Sequence, residues 1–133
     1  MTHTADMLRV NPSSIGFRQD ELAACIDACL DCLQTCTACA DACLGEEDLG
    51  ALRRCISLNL DCADVCGATG GILSRQLSHD PALARTMLEA CRLACRQCAE
   101  ECERHAPHHE HCRLCAEACR RCEAACAVLL NAL

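Results

Sequence analysis

The chain has 133 residues, no Trp or Tyr and a single aromatic residue, Phe17, and its length fits one domain. Its formal charge of −7, with no basic tract, argues against a nucleic-acid partner. We find no apolar run of signal-peptide length and no segment of membrane-spanning length, so we expect a cytoplasmic protein with no membrane partner.

The N-terminal segment differs in character from the rest. Residues 1–18 contain an Asn-Pro break signal, so we expect a tail or short helix there and a helix-bundle domain over residues 19–133. The first long helix is predicted from about Asp20 to Leu44, because acidic residues suit its start and Gly45 supplies a stop. Its cysteines, spaced 4, 3, 4, 3 and 4 residues apart, are Cys25, Cys29, Cys32, Cys36, Cys39 and Cys43. This spacing normally places Leu or Ile in the seam of a helix bundle.

The second long helix carries a sparser version of the same pattern. It is predicted from about Asp48 to Gly67, with a break at Gly70-Gly71 and a resumption over residues 72–77. Its inward face holds Cys55, Asn59, Cys62 and Cys66. The amide side chain of Asn59 therefore takes a position on this face where the spacing would place another cysteine.

Two further helices repeat the dense pattern. The third is predicted to begin at Asp80-Pro81, an N-cap followed by proline at the first helical position, and the fourth follows Pro107. Their inward cysteines are Cys91, Cys95, Cys98 and Cys102 on the third helix and Cys112, Cys115, Cys119, Cys122 and Cys126 on the fourth. Because short connections favour antiparallel neighbours, the predicted fold is all-α, an antiparallel up-down-up-down four-helix bundle with a cysteine-lined core.

The 18 cysteines are candidates for hydrophobic packing, disulfides or metal binding. Small side chains along a whole core would fill it too thinly for good packing. Cβ atoms three or four residues apart on a helix lie about 5–6 Å apart, whereas a disulfide needs about 3.8 Å, although bridges between helices stay open. In a reducing compartment we therefore expect thiols that bind metal.

Thiolates select soft ions, and Cu(I) is the soft ion that best suits helix-borne pairs of thiolates. Structural zinc sites are closed sets of four ligands, and iron–sulfur clusters use loop-borne cysteine spacings. Losing 18 protons would take the formal charge from −7 to −25, and one monovalent ion per cysteine would restore −7. We predict between about 9 and about 20 Cu(I) ions per chain. A zinc reservoir, or a thiol redox or iron–sulfur protein, is the alternative.

This combination of Cys-x3-Cys and Cys-x2-Cys stripes on four helices resembles the bacterial copper storage proteins over about residues 20–130. The resemblance implies Cu(I) storage or sequestration on inward-facing cysteines, with no enzymatic activity and no catalytic residue. Exported members of that family have methionines at the bundle mouth, which this chain lacks, so it resembles the cytosolic form. Cytosolic members form tetramers, which implies a homo-oligomer here, and Leu30 and Leu44 are candidates for its contact surface.

One end of the predicted bundle carries polar side chains that are candidate exchangeable copper ligands: Asn59, His105, His108 and His111. His105 and His108 are predicted to continue the cysteine stripes, whereas His109 is predicted to face solvent. The opposite end carries an apolar cluster of Leu73, Leu88, Leu129 and Leu130. We therefore expect copper to enter at the histidine-bearing end, although a solvated histidine-rich turn would look the same in sequence.

Overall fold

The computed structural model describes residues 2–13, 15 and 18–133, and these residues contain helices and no strand. A short helix precedes four long ones: α1 (Thr4–Val10), α2 (Gln19–Leu44), α3 (Leu49–Ser74), α4 (Pro81–His105) and α5 (Glu110–Ala132). The long helices form a closed ring in which α2 packs against α3 and α5, and α4 packs against the same two. Short connections make ring neighbours antiparallel, so the predicted all-α four-helix bundle is confirmed.

The start of α4 has the cap that the sequence predicts. Asp80 Oδ1 accepts a hydrogen bond of 2.9 Å from the backbone N–H of Ala82, and Pro81 occupies the first helical turn. Proline costs nothing there because its missing N–H would have no partner within the helix. This cap sets where α4 begins and therefore the register of its cysteines.

The predicted break in the second long helix is wrong, because α3 runs without interruption through Gly70 and Gly71 to Ser74. A Cβ added to Gly70 would lie 3.3 Å from the Cβ of Cys29 on α2. The glycine therefore lets two cysteine-bearing helices approach closely. Tertiary packing here outweighs the roughly 1 kcal/mol that a glycine costs in a helix.

The short N-terminal helix lies against the outside of α2. Leu8 of α1 is buried, and the hydroxyls of Thr2 and Thr4 each donate a 2.6 Å hydrogen bond to Asp27 Oδ1. These contacts attach α1 to a face of α2 that does not carry cysteine.

The expectation that no segment has membrane-spanning length is wrong for α2. Gln19–Leu44 is long enough, and an 18-residue stretch of it reaches a mean hydropathy of 1.3. Half of that stretch is buried inside the protein, and core helices pass the same test of length and composition. The hydropathy comes largely from cysteines that face the other helices.

Candidate metal centre

The helical spacing of the cysteines places every one of them inside the bundle. Cysteines three and four residues apart share one face of a helix, and the four faces converge on the bundle axis. All 18 side chains are free thiols and are buried. The cysteine-lined core predicted from the sequence is therefore confirmed.

Sulfur atoms from different helices lie close enough to share an ion. Cys36 Sγ on α2 lies 3.6 Å from both Cys115 Sγ and Cys119 Sγ on α5. On the other side of the bundle, Cys66 Sγ lies 3.7 Å from both Cys91 Sγ and Cys95 Sγ. These separations exceed the 2.05 Å of a disulfide bond but suit thiolates gathered around soft ions.

The sulfurs group into overlapping sets of four. Each set has its ligand atoms within 4.8 Å of one another, and four of the sets are Cys29–Cys91–Cys122–Cys126, Cys32–Cys66–Cys95–Cys122, Cys32–Cys36–Cys62–Cys119 and Cys36–Cys98–Cys115–Cys119. Consecutive sets share at least one cysteine, and the last two share both Cys36 and Cys119. Shared thiolates can bridge ions, so the geometry describes one continuous row of sites rather than isolated ones.

The crowded thiols differ in the direction of their pKa shifts. Hydrogen bonding by the thiols of Cys102 and Cys112 lowers the pKa of Cys55 to about 7. Burial raises the pKa of Cys43, and its neighbours Cys39 and Cys55 add to the increase by charge repulsion. A cluster of this kind cannot ionise fully without cations, because each new thiolate repels the next. A cation that enters must therefore displace protons.

Asn59 lies inside the row of sulfur, as its register predicts. It is fully buried, and its Oδ1 accepts hydrogen bonds from the thiols of Cys98 at 3.0 Å, Cys115 at 3.3 Å and Cys102 at 3.4 Å. Its Nδ2 donates to Cys55 Sγ at 3.8 Å. The amide thus contacts cysteines on three helices, α3, α4 and α5.

We call the end of the bundle formed by the connections 45–48 and 106–109 the mouth. His111 lies there with its Nδ1 3.5 Å from Cys39 Sγ and 3.6 Å from Cys112 Sγ. These three residues and Cys43 form a further set of ligand atoms within 4.8 Å of one another. A surface groove between α2 and α5 is lined by Cys39 and His111. The outermost thiols are therefore adjacent to an imidazole that borders solvent.

Two expectations about the other mouth histidines are wrong. His108 does not continue the stripe of α5, because it lies in the turn before the helix begins and its side chain is exposed. His109 does not face solvent, since its side chain is 11% exposed, its Nδ1 contacts Glu46, and its Nε2 lies 3.0 Å from Asp48 Oδ2. The acidic connection after α2 draws His109 inward and leaves His108 outside.

His105 ends the stripe of α4 at the mouth, and the structure adds a partner that the sequence analysis missed. Its Nε2 lies 2.9 Å from Oε2 of Glu101, a carboxylate with only 7% of its side chain exposed. The spacing of Glu101 and His105, four residues apart on one helix, was the available signal. It was missed because Glu101 lies beside the cysteine stripe rather than on it.

Comparisons with known proteins agree with this geometry. The sequence profile of the copper storage protein family matches residues 18–131. The copper storage protein Ccsp of Streptomyces lividans, loaded with 10 copper equivalents, matches with a TM-score of 0.96 at 50% identity, covering 98% of this chain and 99% of that one. The structure of a cytosolic copper storage protein of Streptomyces lividans with five coppers matches with a TM-score of 0.84 at 54% identity, covering 86% and 95%. The Cu(I)-bound copper storage protein BsCsp3 matches with a TM-score of 0.72 at 33% identity, covering 81% and 96%.

Proposed function

Because this chain belongs to the copper storage protein family, we propose that it binds many Cu(I) ions on its core thiolates and stores or sequesters them without catalysing a reaction. The observation that carries the proposal is the continuous row of overlapping four-sulfur sets inside the bundle. Soft monovalent ions suit such a row, because bridging thiolates hold them close together without accumulating charge. A row of Zn²⁺ sites with four thiolates each would leave two negative charges per site in a buried core.

The number of ions follows from how the thiolates are shared. Strictly separate two-coordinate sites would use the 18 cysteines for about nine ions, and bridging raises the number towards one per cysteine or slightly more. The overlap of the sulfur sets at Cys36 and Cys119 favours bridging. We therefore place the capacity between about 9 and about 20 ions per chain. The relative from Streptomyces lividans was loaded with 10 copper equivalents.

Copper enters this store at the mouth. His111 supports this direction most strongly, because it contacts the thiols of Cys39 and Cys112 and also lines a surface groove. In this proposal His105 and the exposed His108 are further exchangeable ligands near the surface. Asn59 then passes ions from the outer thiols to the inner ones, because its amide contacts both Cys102, one turn from the mouth end of α4, and Cys98, which belongs to one of the inner sulfur sets.

The cellular setting is proposed from the relatives. One of them is a cytosolic copper storage protein, and we propose the same location for this chain.

We also propose a homo-oligomer, most simply a tetramer. Leu30 and Leu44 on α2 are exposed apolar residues, and they remain the candidate contact surface.

Titration with Cu(I) against a competing chelator, read as ions bound per chain, tests this function. We expect a plateau of about 9 to 20 ions and no visible colour, since Cu(I) thiolates absorb only in the ultraviolet. A plateau near four ions, or tighter binding of Zn²⁺ than of Cu(I), would overturn the proposal. A coloured protein would indicate an iron–sulfur cluster instead.

A matched pair of variants shows whether the core thiolates are the ligands. Cys119→Ser removes a sulfur that belongs to two of the overlapping sets, and the plateau should fall by about one or two ions. Ala118→Ser places the same hydroxyl at the neighbouring buried position and should leave the plateau unchanged. Equal plateaus in the two variants would show that Cys119 does not bind copper.

A further inference from the structure

Glu101 is a buried carboxylate close to the mouth, and the storage of copper on thiolates does not account for it. Its Oε2 lies 2.9 Å from His105 Nε2, while its Oε1 faces the guanidinium groups of Arg54 at 3.6 Å and Arg104 at 3.5 Å. Acidic side chains are almost never this buried unless they are paired. Three partners from α3 and α4 thus hold this carboxylate in one place.

The contact decides which ring nitrogen of His105 is open to a metal. An ionised carboxylate only accepts hydrogen bonds, so the Nε2 of His105 must carry the hydrogen and donate it to Glu101. In the neutral ring the lone pair then lies on Nδ1. Metal-binding histidines usually donate their other N–H to a carboxylate or carbonyl in this way, which orients the ring and makes it a better ligand.

Neighbouring histidines are arranged differently. Both ring nitrogens of His109 face carboxylates, those of Glu46 and Asp48. His111 directs Nδ1 towards two thiols, and its buried Nε2 has no hydrogen-bond partner in the described structure, with Glu46 Oε2 at 3.7 Å. His105 instead has one nitrogen fixed by a carboxylate that two arginines also contact, an arrangement that prepares the other nitrogen for a ligand.

We propose that Glu101 is a positioning residue for copper uptake, holding His105 as the Nε2–H tautomer with Nδ1 available to incoming Cu(I). The inference rests on the proposed function, because it requires that copper passes His105 at the mouth. Glu101 does not bind the ion itself. A soft ion prefers nitrogen and sulfur to a carboxylate, and both oxygens of Glu101 already face Arg54, Arg104 or His105.

The first arm of the test measures the His105 tautomer in the metal-free protein by ¹⁵N NMR of the imidazole ring. We expect the hydrogen on Nε2 in the unmodified chain and a mixture of tautomers in Glu101→Gln. Glu103→Gln is the matched control, because it removes a carboxylate two positions along α4 that pairs with Arg120 at 2.8 Å rather than with a histidine. It should leave the tautomer unchanged. A hydrogen on Nδ1 of His105 in the unmodified chain would overturn the inference, whether or not Glu101→Gln folds.

The second arm follows the rate of Cu(I) transfer from a chelator in a double-mutant cycle. Glu101→Gln should slow loading about tenfold, as should His105→Ala, and the double variant should be no slower than His105→Ala alone. Glu103→Gln should load at the original rate, and all variants should reach the same plateau. If the double variant loads about tenfold more slowly than His105→Ala, the two residues act independently and the positioning role is overturned. The positioning role is also overturned if Glu101→Gln loads at the original rate while His105→Ala loads slowly. Normal loading by His105→Ala would show that copper does not pass this residue and would overturn this inference, whereas the mouth route past His111 is tested separately by His111→Ala.

Discussion

The two ends of the bundle are built from the same four helices but from different side chains. At the apolar end, Leu73, Leu88 and Leu129 are buried beneath the last turns of the helices. At the mouth, the connections 45–48 and 106–109 gather carboxylates and imidazoles around the outermost thiols. The overlapping sulfur sets fill the core between them, so the clearest difference between one direction and the other lies at the ends.

This contrast gives the proposed store a direction. A soft ion moves through a protein by exchanging ligands, and each step needs a donor within reach of the last one. The mouth supplies imidazole next to thiol, whereas aliphatic side chains at the apolar end offer no donor. The groove beside His111 lies between α2 and α5, and Leu52 is buried on the mouth side of α3.

The largest expected effect is the loss of stability when the fully buried leucine at the apolar end is truncated. Leu88→Ala should destabilise the metal-free protein by about 2–5 kcal/mol, because Leu88 is fully buried and the space would not refill. Urea unfolding measures this loss. Leu77→Ala is the control, since Leu77 is 80% exposed, and its effect should stay within about 0.5 kcal/mol. A loss below about 1 kcal/mol for Leu88→Ala would show that this end is not tightly packed.

A substitution at the mouth should slow copper loading without destabilising the bundle. His111→Ala should slow Cu(I) loading by about tenfold or more, because losing a ligand should cost at least as much as losing a ligand's hydrogen-bond partner. The plateau should hardly change. His79→Ala is the matched control at the opposite end, where His79 is exposed beside the apolar cluster. Equal loading rates for the two variants, measured by stopped-flow transfer from a chelator, would contradict the assigned direction.

The amide inside the sulfur row should show a conflict between stability and transport. Asn59→Leu should stabilise the metal-free protein by about 1 kcal/mol, because thiols are weak donors and compensate poorly for burying an amide. The same variant should slow the filling of inner sites while leaving the first ions at the mouth unaffected. Urea unfolding and time-resolved loading test the two halves separately. Destabilisation together with normal filling would show that Asn59 has a structural role only.

The smallest expected effect concerns the acidic connection at the mouth. A hydrogen bond with Asp48, reinforced by the charges of Asp48 and Glu46, raises the pKa of His109, and the same bond lowers the pKa of Asp48. The contribution of His109 to stability is therefore complete below its unfolded pKa of about 6.5 and is lost as the pH rises through its raised value. The contribution of Asp48 is present above about pH 3.9 and is lost as the pH falls through its lowered value.

An NMR titration of His109 tests this pairing. Asp48→Asn should return the pKa of His109 towards its ordinary value, because the largest cause of the increase is removed. Glu47→Gln removes one negative charge from the same connection and should have a much smaller effect. An unchanged pKa of His109 in Asp48→Asn would mean that Glu46 alone keeps this pKa raised.

The core could be predicted from the sequence and the mouth only in part. Cysteine spacing placed all 18 thiols correctly, because a helix turns every residue through a fixed angle and four amphipathic helices have one way to bury their faces. The same reasoning failed at His108 and His109, because these residues lie in a turn, where no helical period applies. Spacing also could not show that Gly70 continues α3, since the reason lies in Cys29 on another helix.

By itself, the sequence determined the four helices, the inward register of sulfur and the apolar end, and it indicated that such a core suits soft ions. These follow from local geometry and from the softness of thiolates, which do not depend on the rest of the fold. Tertiary structure alone decided which thiols meet across helices, which mouth histidine contacts them, and that Glu101 is buried with Arg54 of α3 beside it. Those relations join residues from different helices, or a side chain to a buried charge, so they arise only when the helices pack.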